Sequence, residues 1–134
     1  MLKPAIALVL LAHGIGHSIG LLQLFKVAVI SPGWDGQSWL LTPVAGDGVT
    51  HLVAAVLWTA ALVGFVLLAA VVLGWLPVVW FNPLAVASAA LSLAGIVLFP
   101  TAFPPFSMLG AAAVDLVVLA AVAWYHWLPT DLGA

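Results

Sequence analysis

The sequence predicts an all-α integral membrane protein, a single up-down bundle of four helices. Of its 134 residues, 66% are hydrophobic and 4% are charged, and the mean hydropathy is +1.35, whereas soluble domains carry roughly a quarter charged residues. Four apolar stretches reach the length of about 20 residues that a bilayer span needs, namely 4–30, 49–74, 83–100 and 106–127. Six of the seven tryptophans lie at the ends of these stretches, as in the aromatic belt of membrane proteins.

The composition also limits the partners and the chemistry. A net charge of −2, with only two lysines and no arginine, argues against nucleic acid, which binds to a basic face. The lack of cysteine removes disulfides and thiolate metal ligands. The predicted partner is therefore the lipid bilayer, and the length allows one domain, 1–134, with no second one.

The first apolar stretch is interpreted as a retained span. Lys3 before the short apolar run 5–12 is also typical of a secretory signal. Apolar character resumes up to Ile30, however, and no clear small-x-small cleavage site precedes a polar start. An even number of spans places both termini on the same side, and Lys3 favours the cytoplasmic side.

The connections follow from breaker residues. Proline, glycine and aspartate within 31–48 predict a non-helical loop, which Trp34 and Trp39 place in the headgroup layer. Pro83 suits the first position of span three, and the proline-rich stretch 99–105 predicts a tight turn into span four.

One face of span three carries only small residues, at Ser88, Ser92 and Gly95. Such a strip is typical of close helix packing in lipid. If it were not used inside the bundle, it would offer a flat surface for a homo-oligomer.

Two histidines lie in the middle of the first span. Residues three or four apart share a face of a helix, so His13, Gly16, His17 and Gly20 form one narrow stripe, the histidine stripe. Glycines on such a stripe let a second helix approach. We therefore expect close packing at Gly16 and Gly20.

Asp115 is the one carboxylate inside a predicted span. At 1.5 Å per residue, counted from the side of the termini, it lies about 18 Å deep, and His13 and His17 lie about 14 and about 20 Å deep. An unpaired ionised aspartate at that depth costs several kcal/mol. Spans one and four are neighbours in an up-down bundle, so we expect Asp115 to contact the histidine stripe.

Four further residues are secondary candidates for a site. Asp47 lies one turn before His51, which predicts a pair at the start of span two, and Trp58 continues that face inward. His126 lies three turns after Asp115 and is predicted on the same face, with its ring reaching toward water.

The cluster of His13, His17 and Asp115 has several interpretations. One is a hydrogen-bonded cluster that only fixes helix packing. Two histidines four residues apart with a carboxylate are also a metal-ligand arrangement, and neutral imidazole is a common axial ligand of a haem-type cofactor. Another is a proton relay through Asp115 and His17.

Several reaction classes are excluded by the motifs. The His-x-x-x-His spacing encloses no glutamate, so the general base of a zinc protease is missing. Four histidines are too few for a diiron hydroxylase built from histidine boxes. No glycine-rich phosphate loop and no nucleophile elbow is present.

The motif HGIGH at 13–17 resembles the opening of uncharacterised bacterial four-span membrane proteins of about this size. The resemblance continues through Leu57-Trp58 and a polar position that matches Asp115. It implies four helices in a bacterial membrane, which we take to be the cytoplasmic membrane, and no established activity.

The function predicted first is a binding or accessory module whose His13/His17/Asp115 site ligates a metal or tetrapyrrole, or docks a larger membrane complex. The alternative is a small intramembrane enzyme or proton-coupled carrier for a lipophilic substrate such as a quinone or isoprenoid. In it Asp115 would be the acid/base and His17 its charge partner, and a cavity must open between helices beside the cluster. A purely structural bundle in an oligomer is the third interpretation.

Overall fold

The computed structural model describes residues 2–132; Met1, Gly133 and Ala134, which complete the predicted single domain, lie outside the described residues. The elements in chain order are α1 (Leu2–Leu24), α2 (Leu41–Val72), a 3₁₀ helix (Val78–Trp80), α3 (Phe81–Leu98), α4 (Pro105–Ala123) and a second 3₁₀ helix (Pro129–Leu132). No strand occurs within 2–132. The predicted all-α four-helix bundle is confirmed, and four helices are long and apolar enough to cross a membrane.

Helix α1 ends at Leu24, although the apolar stretch continues to Ile30. The backbone N–H of Lys26 donates to the carbonyl of Gln23 at 3.0 Å, and the N–H of Val27 donates to the carbonyl of Leu22 at 2.7 Å. With Lys26 at φ 59°, this is the Schellman arrangement that closes a helix. Local backbone hydrogen bonding, which hydropathy does not report, therefore sets the end of α1.

Helix α2 begins at Leu41, inside the stretch 31–48 that was predicted to be a non-helical loop. The hydroxyl of Ser38 accepts a hydrogen bond from the N–H of Leu41 at 3.2 Å, and the hydroxyl of Thr42 accepts one from the N–H of Ser38 at 3.0 Å. These two hydrogen bonds hold the end of the connection against the first turn of the helix, whose N-cap residue, Leu40, has no side-chain cap. Gly46, at φ 80° and ψ 171°, then kinks it, and the helical path resumes beyond.

Successive helices pack against each other, α1 on α2, α2 on α3 and α3 on α4. One apolar core, around Leu10, Phe65, Leu68 and Phe81, lies toward the termini. A second core around Trp58 lies toward the two long connections. Helix α4 is the least buried of the four, and α1 and α4 are separated over much of their length.

Gly14 and Gly20 are the glycines of α1 at which other elements approach closely. A Cβ built on Gly14 would lie 2.9 Å from Cβ of Phe65 on α2, and one on Gly20 would lie 2.8 Å from Cζ of Phe103. At Gly16 nothing lies within 4 Å of such a Cβ. The packing role predicted for Gly16 is therefore wrong, because α1 is rotated so that Gly14 faces α2.

The small residues of α3 face α2. Ser88 lies directly against Gly64, and a Cβ on Gly95 would lie 3.1 Å from Nε1 of Trp58. Ser88, Ser92 and Gly95 are all buried. The strip is thus used inside the bundle and is not the flat surface predicted for a homo-oligomer.

Gln23 ties together the two connections at one end of the bundle. Its Nε2 donates to the carbonyl of Ala102 at 2.8 Å, and its Oε1 accepts from the backbone N–H groups of Ile30 at 2.9 Å and of Ser31. Gln23 itself is buried. A single side chain thereby holds the α1–α2 connection against the α3–α4 turn.

Replacing Gly14 with alanine is expected to destabilise the bundle by about 1–3 kcal/mol, because the new methyl group would overlap Phe65. The matched control, Gly16→Ala, should leave stability unchanged or raise it by up to about 1 kcal/mol, since alanine is the better helix former. Unfolding of the purified protein in mixed detergent micelles measures both. Equal effects of the two variants would contradict this packing.

Replacing Gln23 with leucine is expected to cost about 2–4 kcal/mol, because three backbone groups lose their hydrogen-bond partner. Gln37→Leu is the control, since the Gln37 side chain is exposed. Thermal unfolding in detergent compares the two. A Gln23 variant as stable as the Gln37 variant would show that other contacts hold the connections.

Candidate intramembrane binding site

His13 and Asp115 are in direct contact at the middle of the bundle. Nε2 of His13 lies 2.9 Å from Oδ1 of Asp115, within hydrogen-bond distance. Asp115 is 0% exposed, and within Pro105–Ala123 it is the only buried residue. The contact expected between this carboxyl group and the histidine stripe is therefore present, and it joins α1 to α4.

The two imidazoles have different surroundings. Their ring centroids are 5.1 Å apart in an edge arrangement, and the Phe65 ring lies edge-on to His13 at 4.4 Å and stacked with His17 at 6.2 Å. His17 is buried, but its Nε2 has no hydrogen-bond partner among residues 2–132. His13 is thus engaged by Asp115, whereas His17 keeps a free ring nitrogen.

A cavity of about 420 Å³ lies between α1 and α4, beside both histidines. Its rim includes Val9 and Ile19, which are 53% and 38% exposed, so the cavity opens on the outer surface of the bundle. Most of its lining is apolar. The lining residues are Val9, Ala12, His13, Gly16, His17, Ile19, Ile30, Trp58, Ser92, Ile96, Phe103, Pro104, Ser107, Met108, Gly110, Ala111 and Val114.

Two unpartnered polar atoms belong to residues that line this cavity, Nε2 of His17 and Oγ of Ser92. Ser88, one turn earlier on α3, also has an unpartnered Oγ but lies against Gly64 and is not part of the lining. Within the described part of the chain, Oγ of Ser31 and Oδ2 of Asp115 complete the buried side-chain atoms without a partner. Since buried polar groups are usually hydrogen-bonded, Nε2 of His17 and Oγ of Ser92 are the candidates for contact with a polar group of a bound ligand.

Aromatic rings also form part of the cavity wall. Trp58 is 1% exposed, and its ring centroid lies 5.6 Å from that of Trp34 and 5.5 Å from that of Phe103. Both Trp58 and Phe103 line the cavity. Trp58, predicted to continue a face inward, therefore lies at the site, and a flat group beside His17 would have aromatic neighbours.

The other secondary candidates lie apart from the site. No hydrogen bond or ion pair joins Asp47 to His51 among residues 2–132; Asp47 is exposed, and the His51 ring lies against Gly36. The predicted pair is therefore wrong. The face predicted for His126 is also wrong, because α4 ends at Ala123 and His126, at φ 49°, has left the helical face of Asp115; its exposure agrees with the ring predicted to reach toward water.

Within the described residues, no group of three or more His, Cys, Asp or Glu side chains is arranged to hold a metal ion. For His13 and Asp115 the reason is their direct contact. Oδ1 of Asp115 and Nε2 of His13 are directed at each other, so a shared ion would have to replace their contact.

Comparison with protein-family models, with curated proteins and with solved structures finds no match to this chain.

Sequence reasoning missed several residues that shape the site. Phe65, which packs against both histidines, is one apolar residue among many in its span. Ser92 was identified for packing alone, and its place in the cavity lining depends on the rotation of α3. Gln23 had a readable signal, because it is a polar residue three positions after Gly20 that extends the histidine stripe.

A double-mutant cycle on His13→Leu and Asp115→Leu should give a coupling energy of about 0.6–1.7 kcal/mol, the range for interhelical hydrogen bonds in membranes. The control cycle pairs Asp115→Leu with His51→Leu, whose ring lies elsewhere, and should give a coupling near zero. Unfolding in mixed micelles supplies the free energies. Equal coupling in the two cycles would contradict a specific His13–Asp115 bond.

Proposed function

We propose that this protein binds a neutral lipophilic molecule, of the quinone or isoprenoid class, in the intramembrane cavity between α1 and α4. One observation carries the proposal. Two buried polar atoms without partners among residues 2–132, Nε2 of His17 and Oγ of Ser92, belong to the lining of a largely apolar cavity of about 420 Å³. A head group that exchanges hydrogen bonds with both would satisfy them.

The cavity has the character of a small-molecule site. Such sites measure about 300–1,000 Å³ and combine apolar walls with a few polar groups that fix orientation. His13 and His17 are the only titratable residues in its lining, and His13 is already paired with Asp115. Because an isolated charge is costly at this depth, the site favours an uncharged ligand.

A quinone head group fits this chemistry. Its carbonyl oxygens accept hydrogen bonds, which a protonated ring nitrogen of His17 and the hydroxyl of Ser92 donate. Its flat ring suits the aromatic neighbours Trp58 and Phe103. The opening between Val9 and Ile19 faces outward, so such a ligand would enter from the bilayer without crossing water.

The contact between His13 and Asp115 favours a binding role over a catalytic role. Asp115 does not line the cavity, and its Oδ1 is held by His13. In a carrier or enzyme, a proton on the ligand would therefore reach Asp115 through His13, rather than through the His17 partner predicted from the sequence. In the binding role, the same contact holds α4 beside the cavity.

The setting of this function is part of the proposal. We place the protein in a bacterial cytoplasmic membrane with both termini in the cytoplasm, on the strength of Lys3 and of the HGIGH resemblance. A larger membrane complex or a homo-oligomer stays a prediction for its partner. The buried Ser88/Ser92/Gly95 strip is not the surface that such a partner would use.

A tetrapyrrole or metal site is the second candidate, and the free Nε2 of His17 favours it, since one neutral imidazole is enough for an axial haem ligand. Purified protein would then show a haem-type absorption spectrum or bound metal by elemental analysis, and His17→Ala would remove it. A colourless and metal-free preparation that His13→Ala and His17→Ala leave unchanged would exclude this candidate.

Binding of a tailless benzoquinone to the detergent-solubilised protein tests the main proposal. We expect Ser92→Ala to weaken binding about fivefold and His17→Leu about tenfold, as loss of one hydrogen bond each implies. Isothermal calorimetry measures the Kd. The proposal requires that the Kd rises because a polar group of the cavity lining is lost, and not because any buried polar side chain is lost.

Two matched control variants remove polar side chains that do not line the cavity. Ser88→Ala removes an equally buried and unpartnered hydroxyl outside the lining, and His51→Leu removes an imidazole far from it. Both should keep the affinity of the unmodified protein. If no quinone binds, or if Ser88→Ala weakens binding as much as Ser92→Ala, the proposed function is wrong.

A further inference from the structure

A second cavity lies next to the first between the same two helices, and its volume is also about 420 Å³. All its lining side chains are aliphatic, including those of Ala5 and Leu10 on α1 and of Ala113 on α4. Val9 and Val114 line both cavities. We call the second cavity the tail groove, because it continues the first one along the helices toward the termini.

We propose that the ligand has two parts, a hydrogen-bonding head group beside His17 and Ser92 and a linear hydrocarbon tail that lies in the tail groove. The inference rests on the proposed function and narrows it to tailed molecules such as prenylated quinones. A compact head group would occupy only the first cavity. The all-aliphatic lining offers the groove's occupant no hydrogen-bonding side chain.

The shared residues favour one ligand over two separate ones. Because Val9 and Val114 line both cavities and Val9 is exposed, a chain that leaves the head group would reach the groove by running along these two side chains on the outer face of the bundle. Asp115 is fully buried and lines neither cavity, so its bond with His13 lies behind this path and does not block it. The outer side of the groove is bounded by exposed side chains such as Val117, which is 68% exposed.

The size of the groove indicates which part of a tail it holds. From Ala5 to Val9, α1 rises by about 6 Å, and the lining of α4 from Ala113 to Val118 covers about 8 Å. The groove therefore contacts the portion of the tail next to the head group, and the rest of a long tail extends into lipid. Small side chains on both walls, Ala5 and Ala113, keep the groove wide enough for a chain.

Two benzoquinones with the same head group, one tailless and one carrying a geranyl tail, test the inference on the full-length protein in detergent. Affinity is expressed against the mole fraction of probe in the micelle, so that partitioning from water does not count as binding. We expect the geranyl probe to bind about tenfold more tightly, because packing in the groove adds contacts that detergent does not match.

A bulky side chain in the tail groove should abolish the tighter binding of the geranyl probe without weakening the tailless probe. Ala113→Phe is expected to bring the geranyl probe to the affinity of the tailless probe and to leave the tailless probe unchanged, which also shows that the variant is folded. Ala5→Phe on the opposite wall repeats the test. Ala90→Phe is the control, since Ala90 is exposed on α3 and lines neither cavity.

The outcomes separate this inference from the proposed function. If both probes bind equally and His17→Leu weakens both, the tail groove is not used and the binding site stands. Equal loss for the geranyl probe in Ala113→Phe and Ala90→Phe also overturns the inference. If neither probe binds, the proposed function fails, and the inference fails with it.

Discussion

The bond between His13 and Asp115 is the constraint on which the arrangement of α1 and α4 depends. The other helix pairs are neighbours in sequence and pack along their length, whereas α4 fully buries only Asp115 within Pro105–Ala123 and adds partly buried residues such as Val118 to the core toward the termini. Hydrocarbon offers a carboxyl group no hydrogen bond, so the fold must supply one. The 2.9 Å contact supplies it and fixes how far α4 can move from α1.

The same bond makes the two histidines unequal. Asp115 has one partner on α1, and that partner is His13, so Nε2 of His17 is left without a partner among residues 2–132. Around His17 the helices are held near each other but not in full contact, and a cavity with apolar walls lies there. A structural requirement at one imidazole thus leaves a ring nitrogen of the other without a partner among residues 2–132.

The sequence predicts the features that follow from the energetics of burial, namely the helices and the contact of Asp115. It does not predict the features that depend on how each helix is rotated. Hydropathy is sufficient for four helices, and the cost of a buried carboxyl group is sufficient for the contact of Asp115 with the histidine stripe. The packing glycine is Gly14 and not Gly16, because a rotation of α1 that periodicity alone does not fix decides which glycine meets Phe65. The early start of α2 likewise comes with local hydrogen bonds of the Ser38 and Thr42 side chains, in a stretch whose Gly46 indicated a loop.

Ser88 and Ser92 show why a polar residue in a span needs its neighbours before a role can be assigned. They are the same residue type on the same face of α3, and each has a buried hydroxyl without a partner among residues 2–132. Ser88 lies against Gly64, so its small size is its contribution to packing, whereas Ser92 is one of the residues that line the cavity. Gln23 completes the distinction, because its hydrogen bonds fix Ile30 and the turn before Phe103 at the rim. A rim held in this way lets the cavity keep its shape without a ligand. Under the proposed function, binding would then lose less conformational entropy.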